Sequence, residues 1–517
     1  MAPPSPNDLN SEPTTNPLGS TAKAGAITSL LGNFTSPAVR PWLLLGGWSV
    51  LVYVLFRTWN VLFARYVAAT GYNGDIFRET MRGGFAPLYV HTQVPTIPLL
   101  LSLWAVLVVV FYWQGERGLT RKYFGWFVAF AQMLLIFAFG MTDGTERAFG
   151  MYAHYTNFAI GLPFAGESIE SFFGGYTDLM QRPNLGAHLN HYPPGNLLLL
   201  WLAQSAGHIN AAKWVVVLAS VATLWQIARI GRTLGWERSA TNWAQLLFAT
   251  SSVTLIFPTL DLVAIPTFLA AWSMAAYFRM LQYFANSVNE HSLRASLELM
   301  LALTLFTLFS FNVLVVLAWM VLGVWVFLFR LRKGFNVSFV VNILEWLLIG
   351  IIILTGVAVV YGALYWWTGF DILTCFQQAV QNNATQMNYS AADNIASPAR
   401  YLFRSTGNIL AYSIAAGAWV VFLALFGSRR SERRGAGLLT GVLYGTTFAV
   451  LVAAGFSTLF LGETERVWGF FTPCLAALAG FGMRAWMRRY GWRTAFVTFA
   501  LLFLASIAFE AYLSHVC

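Results

Sequence analysis

Asn342-Ile-Leu-Glu-Trp-Leu-Leu-Ile-Gly-Ile-Ile-Ile-Leu-Thr-Gly-Val-Ala-Val-Val-Tyr-Gly-Ala-Leu-Tyr-Trp366 contains a single charged side chain, Glu345. At about 1.5 Å of rise per residue, such a run crosses a hydrocarbon core about 30 Å thick. It is too long and too uniformly apolar for the short alternating strands of an outer-membrane barrel, so its backbone groups must find their partners inside a helix. Comparable runs lie near 41–63, 93–113, 123–141, 210–229, 241–257, 262–284, 296–310, 312–330, 408–427, 437–457, 468–483 and 494–513. The chain is therefore expected to be an all-α integral membrane protein with about thirteen transmembrane helices. The pair 296–310 and 312–330 is read as two short helices with Phe311-Asn312 at the hairpin tip, because a single long helix would invert everything after it.

Composition agrees with the periodicity. Of 517 residues, 57% are hydrophobic and 10% charged, against about 25% charged in a soluble domain. The net charge of +10 resides in short basic clusters between apolar runs. These are Arg117, Arg121 and Lys122; Arg229, Arg232 and Arg238; Arg330, Arg332 and Lys333; Arg429, Arg430, Arg433 and Arg434; and Arg484, Arg488, Arg489 and Arg493. Such clusters set membrane orientation, so the charge calls for no nucleic-acid partner. Placing all five inside puts the N-terminus in the cytoplasm. Residues 1–38, rich in Pro, Ser, Thr, Asn and Gly, are expected to form a disordered cytoplasmic tail with no cleavable signal peptide. Cys375, Cys474 and Cys517 have neither metal-ligand spacing nor the even number that a disulfide framework needs.

With this orientation the outer face receives 64–92, 142–209, 366–407 and the turn Gly462-Glu463-Thr464-Glu465-Arg466. Polar chemistry gathers there. The run 123–141 opens into Met141-Thr142-Asp143-Gly144-Thr145-Glu146-Arg147, and the long loop closes on His188-Leu189-Asn190-His191-Tyr192-Pro193-Pro194-Gly195-Asn196. The apolar stretch after Asn196 is too short to span and is expected to lie along the interface, with the two prolines at its start. Phe257-Pro258-Thr259-Leu260-Asp261 marks another outer helix junction.

His-Tyr-Pro-Pro-Gly-Asn, an interfacial helix, a span and an arginine cluster, in that order, resemble the first-loop region of the GT-C superfamily of membrane glycosyltransferases. The Asp261 junction and Gly462-Glu463-Thr464-Glu465-Arg466-Val467-Trp468 are similar to outer-face motifs of that superfamily, and the resemblance covers roughly 123–483. It implies a GT-C-like catalytic region at 123–517, preceded by two further transmembrane helices at 39–122. It also implies an inverting glycosyltransferase of a bacterial plasma membrane, active on the outer face. Its partners would be a polyprenyl-phosphate sugar donor, a glycan, lipid or protein acceptor, and membrane lipids. No organic cofactor is implied, and a divalent cation is left open.

In that superfamily a first-loop Asp accepts the proton of the acceptor hydroxyl. By position Asp143 comes first and Asp178 second; Asp75 comes first if the two N-terminal helices are the superfamily's own opening. Arg466 is expected on the lipid phosphate, because a guanidinium offers a planar fork of donors; His191 and Arg404 are further phosphate contacts. Glu463, Glu465, Asp261, Glu146 and His188 are expected to orient substrate, with no metal ligands assigned. Each has a plainer reading as well. Asp143 and Arg147 could form a solvated pair at helix spacing, Asp178 and Asp75 could be turn residues, Asp261 a helix cap, and Glu463 and Arg466 an end-of-helix pair. A flippase or transporter for a lipid-linked sugar is the competing function, and an assembly subunit the third. Asn383-Ala384-Thr385 and Asn388-Tyr389-Ser390 match N-glycosylation acceptors.

Overall fold

The computed structural model describes residues 36, 38–70, 88–89, 97–150, 154–182, 189–285, 290–331, 337–386, 398–431, 437–456, 468–512 and 514–515. The chain divides into two compact units, 1–47 and 48–517. Of the first, the described part is chiefly the opening turns of helix α1 (Arg40–Thr70). In the second, α2 (Ile97–Gly118) and α3 (Phe124–Gly140) precede a loop region with short helices α4 (Thr145–Phe149), α5 (His154–Ala159), α6 (Ile169–Gly174), α7 (Tyr176–Met180) and α8 (Gly195–Ser205). The bundle resumes with α9 (Ala211–Thr233), α10 (Arg238–Ala249), α11 (Ser252–Leu260), α12 (Ala264–Ala285), α13 (Glu290–Phe309), α14 (Val313–Leu331) and α15 (Val337–Thr368). It ends with α16 (Ile372–Gln386), α17 (Pro398–Ala415), α18 (Ala418–Ser431), α19 (Leu438–Phe456), α20 (Thr472–Tyr490) and α21 (Trp492–Tyr512). Leu88–Tyr89 and Ser514–His515 form a two-residue antiparallel ladder.

Among the described residues, six helices are long and apolar enough to cross a membrane, and up to eight if each of two bent pairs counts as one span. The fold is a multi-pass helical membrane bundle, with Phe124–Gly140 and Trp492–Ala508 as further, shorter apolar helices; the expected number of thirteen crossings is not established by this test. Helix α15, which contains the opening stretch of sequence, is mostly exposed along its apolar surface, as a lipid-facing helix is. The chain breaks between Phe309 and Val313, where the hairpin reading requires it. By contrast, the span expected over 408–427 divides at Ala416-Gly417 into α17 and α18, which meet at 92°.

Helices α10 and α18 both pack closely on α20. Their contact faces are built from small residues, which let backbones approach where no hydrophobic force drives helices together in lipid. A Cβ placed on Gly480 would overlap the Ala244 backbone, and one on Gly482 would overlap the Leu423 carbonyl. The pair α10 and α11 bends by 45°. At the bend the Ser506 hydroxyl of α21 donates to Thr250 O (2.8 Å), while the Thr250 and Ser251 hydroxyls donate to Leu246 O (2.8 Å) and Phe248 O (3.2 Å), carbonyls that also accept backbone N–H groups of the last turn.

Charges gather at the ends of helices. Arg484 contacts Glu116 at 3.0 Å and Glu237 at 2.9 Å, Arg488 also pairs with Glu237, and Arg238 donates to Thr120 O at 3.2 Å. Glu298 takes Arg229, Arg279 (3.0 Å) and the Trp272 indole N–H (2.6 Å). These pairs bring the basic loops 116–122 and 233–238 and the last turns of α20 to one end of the bundle. Gly480→Val should force α10 and α20 apart and destabilise the protein by about 1–3 kcal/mol, measurable as earlier unfolding in an SDS titration of mixed micelles.

Candidate active site

Helix α3 ends at Gly140 and passes into a single 3-10 turn, Met141–Asp143. Gly144 then reverses the chain with φ of 101°, a conformation that side-chain-bearing residues rarely adopt, and α4 begins. The reversal folds α4 back over the end of α3. A Cβ on Gly140 would lie 2.8 Å from Ala148 Cα and 3.0 Å from Thr259 Cγ2, so a hydrogen at position 140 is what lets the turn close.

Five residues do not make a stable helix alone, and the turn is held from outside. Arg147 is fully buried. Its Nη1 donates to the Thr142 hydroxyl at 3.0 Å, and its Nε to the Thr259 hydroxyl of α11 at 3.3 Å. The main-chain carbonyl of Arg147 accepts from Lys213 Nζ of α9 at 2.5 Å. Lys213 is 1% exposed, and its ammonium stands 5.0 Å from the centroid of the Tyr155 ring. Tyr155 of α5 donates to the Pro258 carbonyl at 2.8 Å. Burial, and secondarily the nearby charge of Asp261, push the Tyr155 hydroxyl well above its ordinary range, so it stays a donor. Asp261 is itself 4% exposed and accepts from Leu262 N–H at 2.6 Å. Two basic side chains and an acidic one are thus buried where α3, α9 and α11 end or begin together.

Of the residues singled out from sequence, Asp143, Glu146 and Asp261 belong to this assembly. The backbone of Asp143 closes the 3-10 turn, its side chain being outside the described residues. Glu146 is exposed on α4. Asp261 accepts from the backbone N–H of Leu262, and α12 begins two residues further on, at Ala264.

Asp178 and His191 fall in a second group. Asp178 is exposed on α7, and His191, half-buried, ends the turn Leu189–His191 packed beside it. Tyr176 donates to Tyr192 O at 2.9 Å. Helix α16 lies across both elements: the Asn382 amide donates to Met180 O at 3.2 Å and to Asn190 O at 2.9 Å, and the Cys375 thiol sits 3.3 Å from the Met180 sulfur. Burial pushes that thiol up to about 12, so it is a packing group and not a nucleophile. Pro194 caps α8, which begins at Gly195. Helix α5 joins the two groups, with Tyr155 on the first and Phe158 edge-on to Tyr192 in the second, ring centroids 5.5 Å apart.

Asp75, His188, Glu463, Glu465, Arg466 and Asn388 lie outside the described residues. Arg404 and Asn383 fall within α17 and α16, their side chains likewise outside the description. Among the described residues no three His, Cys, Asp or Glu side chains come together to hold a metal ion.

No family model matches this sequence, and no curated protein matches it. Two crystal structures of the oligosaccharyltransferase of Archaeoglobus fulgidus are similar to the chain, with a TM-score of 0.47 in each case. One is tethered by a disulfide to an acceptor peptide containing the NVT sequon, at 11% identity, and the other is the apo form, at 10%. The match covers 76% of this chain and 56% of theirs, so the chain spans little more than half their length.

Two substitutions probe the turn. Tyr155→Phe should cost about 1 kcal/mol, the net worth of one buried hydrogen bond. Gly140→Val should cost about 1–3 kcal/mol through overpacking against Ala148 and Thr259. Both are read from unfolding midpoints in detergent.

Proposed function

We propose that this protein is an inverting glycosyltransferase. It moves a sugar from a polyprenyl-phosphate donor to an acceptor hydroxyl on the non-cytoplasmic face of a bacterial plasma membrane. The observation that carries the reading is the buried assembly of Arg147, Lys213 and Asp261 around the turn that bears Asp143. Ionisable groups in a membrane protein are costly to bury and mark functional sites. Here they stand at the ends of α3 and α11 and the start of α9, where a lipid-borne phosphate and a water-borne hydroxyl can meet.

In this scheme Asp143 takes the proton of the acceptor hydroxyl as its oxygen attacks the anomeric carbon. The bond from that carbon to the phosphate oxygen breaks, the electron pair leaves with the lipid phosphate, and configuration inverts. Arg466 stabilises the charge that develops on the departing phosphate; His191 and Arg404 are auxiliary contacts. Glu463, Glu465, Glu146, His188 and Asp261 orient the substrates. Asp178 and Asp75 are the alternative bases. Arg147, fully buried, acts through the shape of the turn and its field, without touching substrate.

A second reading, a flippase for the same lipid, is favoured by one observation. A cavity of about 200 Å³ opens between the two bent helix pairs, lined in part by Thr250, Ser251, Gly417, Trp419 and Ser506. Broken helices around a cavity are a transporter feature. The lining carries no charged side chain, and Thr250, Ser251 and Ser506 donate to backbone carbonyls, so it offers little to a sugar phosphate.

The experiment is transfer of labelled sugar from a panel of polyprenyl-phosphate sugars to membrane acceptors by purified protein in liposomes. Wild-type protein should form product and Asp143→Asn should lose at least about 100-fold in turnover, the scale of one general base, with donor binding retained. Intact donor relocated across the bilayer without product would establish the flippase instead.

A further inference from the structure

Lys213 stands where local physics disfavours it. It lies in the first turn of α9, a 23-residue helix, at the positive end of the helix dipole. The residue is 1% exposed, and burying a charged amine costs several kcal/mol without compensation. It also lies close to a second cation, Arg147, whose own carbonyl it contacts. Elsewhere in the described bundle, Arg229, Arg279, Arg484 and Arg488 each face a carboxylate. The described contacts of Lys213 are different in kind: one main-chain carbonyl and the face of one aromatic ring. It belongs to none of the basic clusters that orient the chain. A residue that breaks several local rules at once is expected where function requires it.

We propose that Lys213 is a positioning residue: by holding the Arg147 carbonyl from α9, it fixes the 141–149 turn, and with it Asp143, against the ends of α3 and α11. This rests on the glycosyltransferase reading for its catalytic consequence, although the mechanical link stands without it. The geometry ties the turn to three helices. The Arg147 guanidinium reaches Thr259 of α11 and, within the turn, Thr142, whose hydroxyl donates to Phe139 O of α3 at 2.7 Å, while Lys213 reaches from α9. Tyr155 provides the ring on which the ammonium rests and is itself pinned to the Pro258 carbonyl. A main-chain carbonyl reports the position of the backbone, so the charge acts on the path of the turn and not on one side chain's rotamer. Without that anchor the short α4 keeps the contacts of the flexible Arg147 side chain and loses the bond that Lys213 makes to its backbone. A displacement of about 1 Å in a catalytic carboxylate is enough to lower turnover about 100-fold.

The test uses full-length protein in lipid nanodiscs with two substitutions. Lys213→Met keeps the length and apolar stem but removes the charge and the donor; Lys213→Gln keeps a donor. The first readout is amide hydrogen exchange of peptides covering 141–150, with α15 as internal control. Lys213→Met should accelerate exchange there about tenfold, the equivalent of one lost hydrogen bond, with α15 unchanged; Lys213→Gln should fall between it and wild type. The second readout is sugar transfer from the polyprenyl-phosphate panel, where kcat should fall about 100-fold in Lys213→Met with KM for the donor little changed, and recover in part in Lys213→Gln. Unchanged exchange at 141–150 in folded Lys213→Met overturns the proposal, as does exchange that rises equally in α15. If wild type transfers no sugar, the glycosyltransferase reading fails, and the exchange result alone decides whether Lys213 holds the turn.

Discussion

In hydrocarbon, a backbone N–H or C=O without a partner costs several kcal/mol, and no water is available to supply one. That constraint organises this protein from end to end. It makes helices of the long apolar runs, and it explains why breaks occur where hydroxyls can serve. At the bend between α10 and α11, Thr250, Ser251 and Ser506 donate to carbonyls of the interrupted helices. At the junction of α11 and α12, Tyr155 reaches the carbonyl of Pro258, a residue placed inside α11. The irregular backbone at 141–150 obeys the same rule: Arg147 and Lys213 supply donors to hydroxyls and to a carbonyl that no regular helix continues.

The same constraint sorts the charges. The ion pairs of Glu116 and Glu237 are partly exposed and tie loops to the end of α20, and those of Glu298 join α9, α12 and α13. Exposed pairs of this kind contribute little to stability and much to orientation. The assembly of Arg147, Lys213 and Asp261 is buried and lies where α3 and α11 end and α9 begins. Burial makes each charge there expensive and its field strong. A carboxylate carried on that turn would sit among fixed dipoles and cations that need no rearrangement as charge moves, which is what catalysis of sugar transfer asks of a site.

Much of the fold was legible in the sequence, because hydropathy reports the solvent directly. Each expected apolar segment is mainly helical over its described residues, two of them with a break, and the hairpin at Ser310–Asn312 follows from the charge pattern as much as from hydropathy. The sharp break at Ala416-Gly417 was not legible, since both arms are equally apolar and a lone glycine inside a span is common. At the candidate site, Asp143, Glu146 and Asp261 could be read because they punctuate the ends of apolar runs. Lys213 and Tyr155 could not. Lys213 lies 66 residues from Arg147 and was absorbed into the start of a span, and Tyr155 sat in a long loop among other aromatics. A faint signal was present in Lys213: a lone cation at the end of a span opposite to its basic cluster. Helix spacing offers Arg147 as a solvated partner of Asp143, but spacing alone cannot tell an exposed pair from the buried anchor that Arg147 is.

The most direct test of the central claim is a cryo-EM map of the protein in nanodiscs with a non-hydrolysable polyprenyl-phosphonate sugar. We expect the sugar phosphonate beside the 141–150 turn, with its anomeric carbon facing Asp143 and Arg147 still held between Thr142 and Thr259. Ligand density confined to the cavity between the two bent helix pairs, with the turn unoccupied, would contradict it.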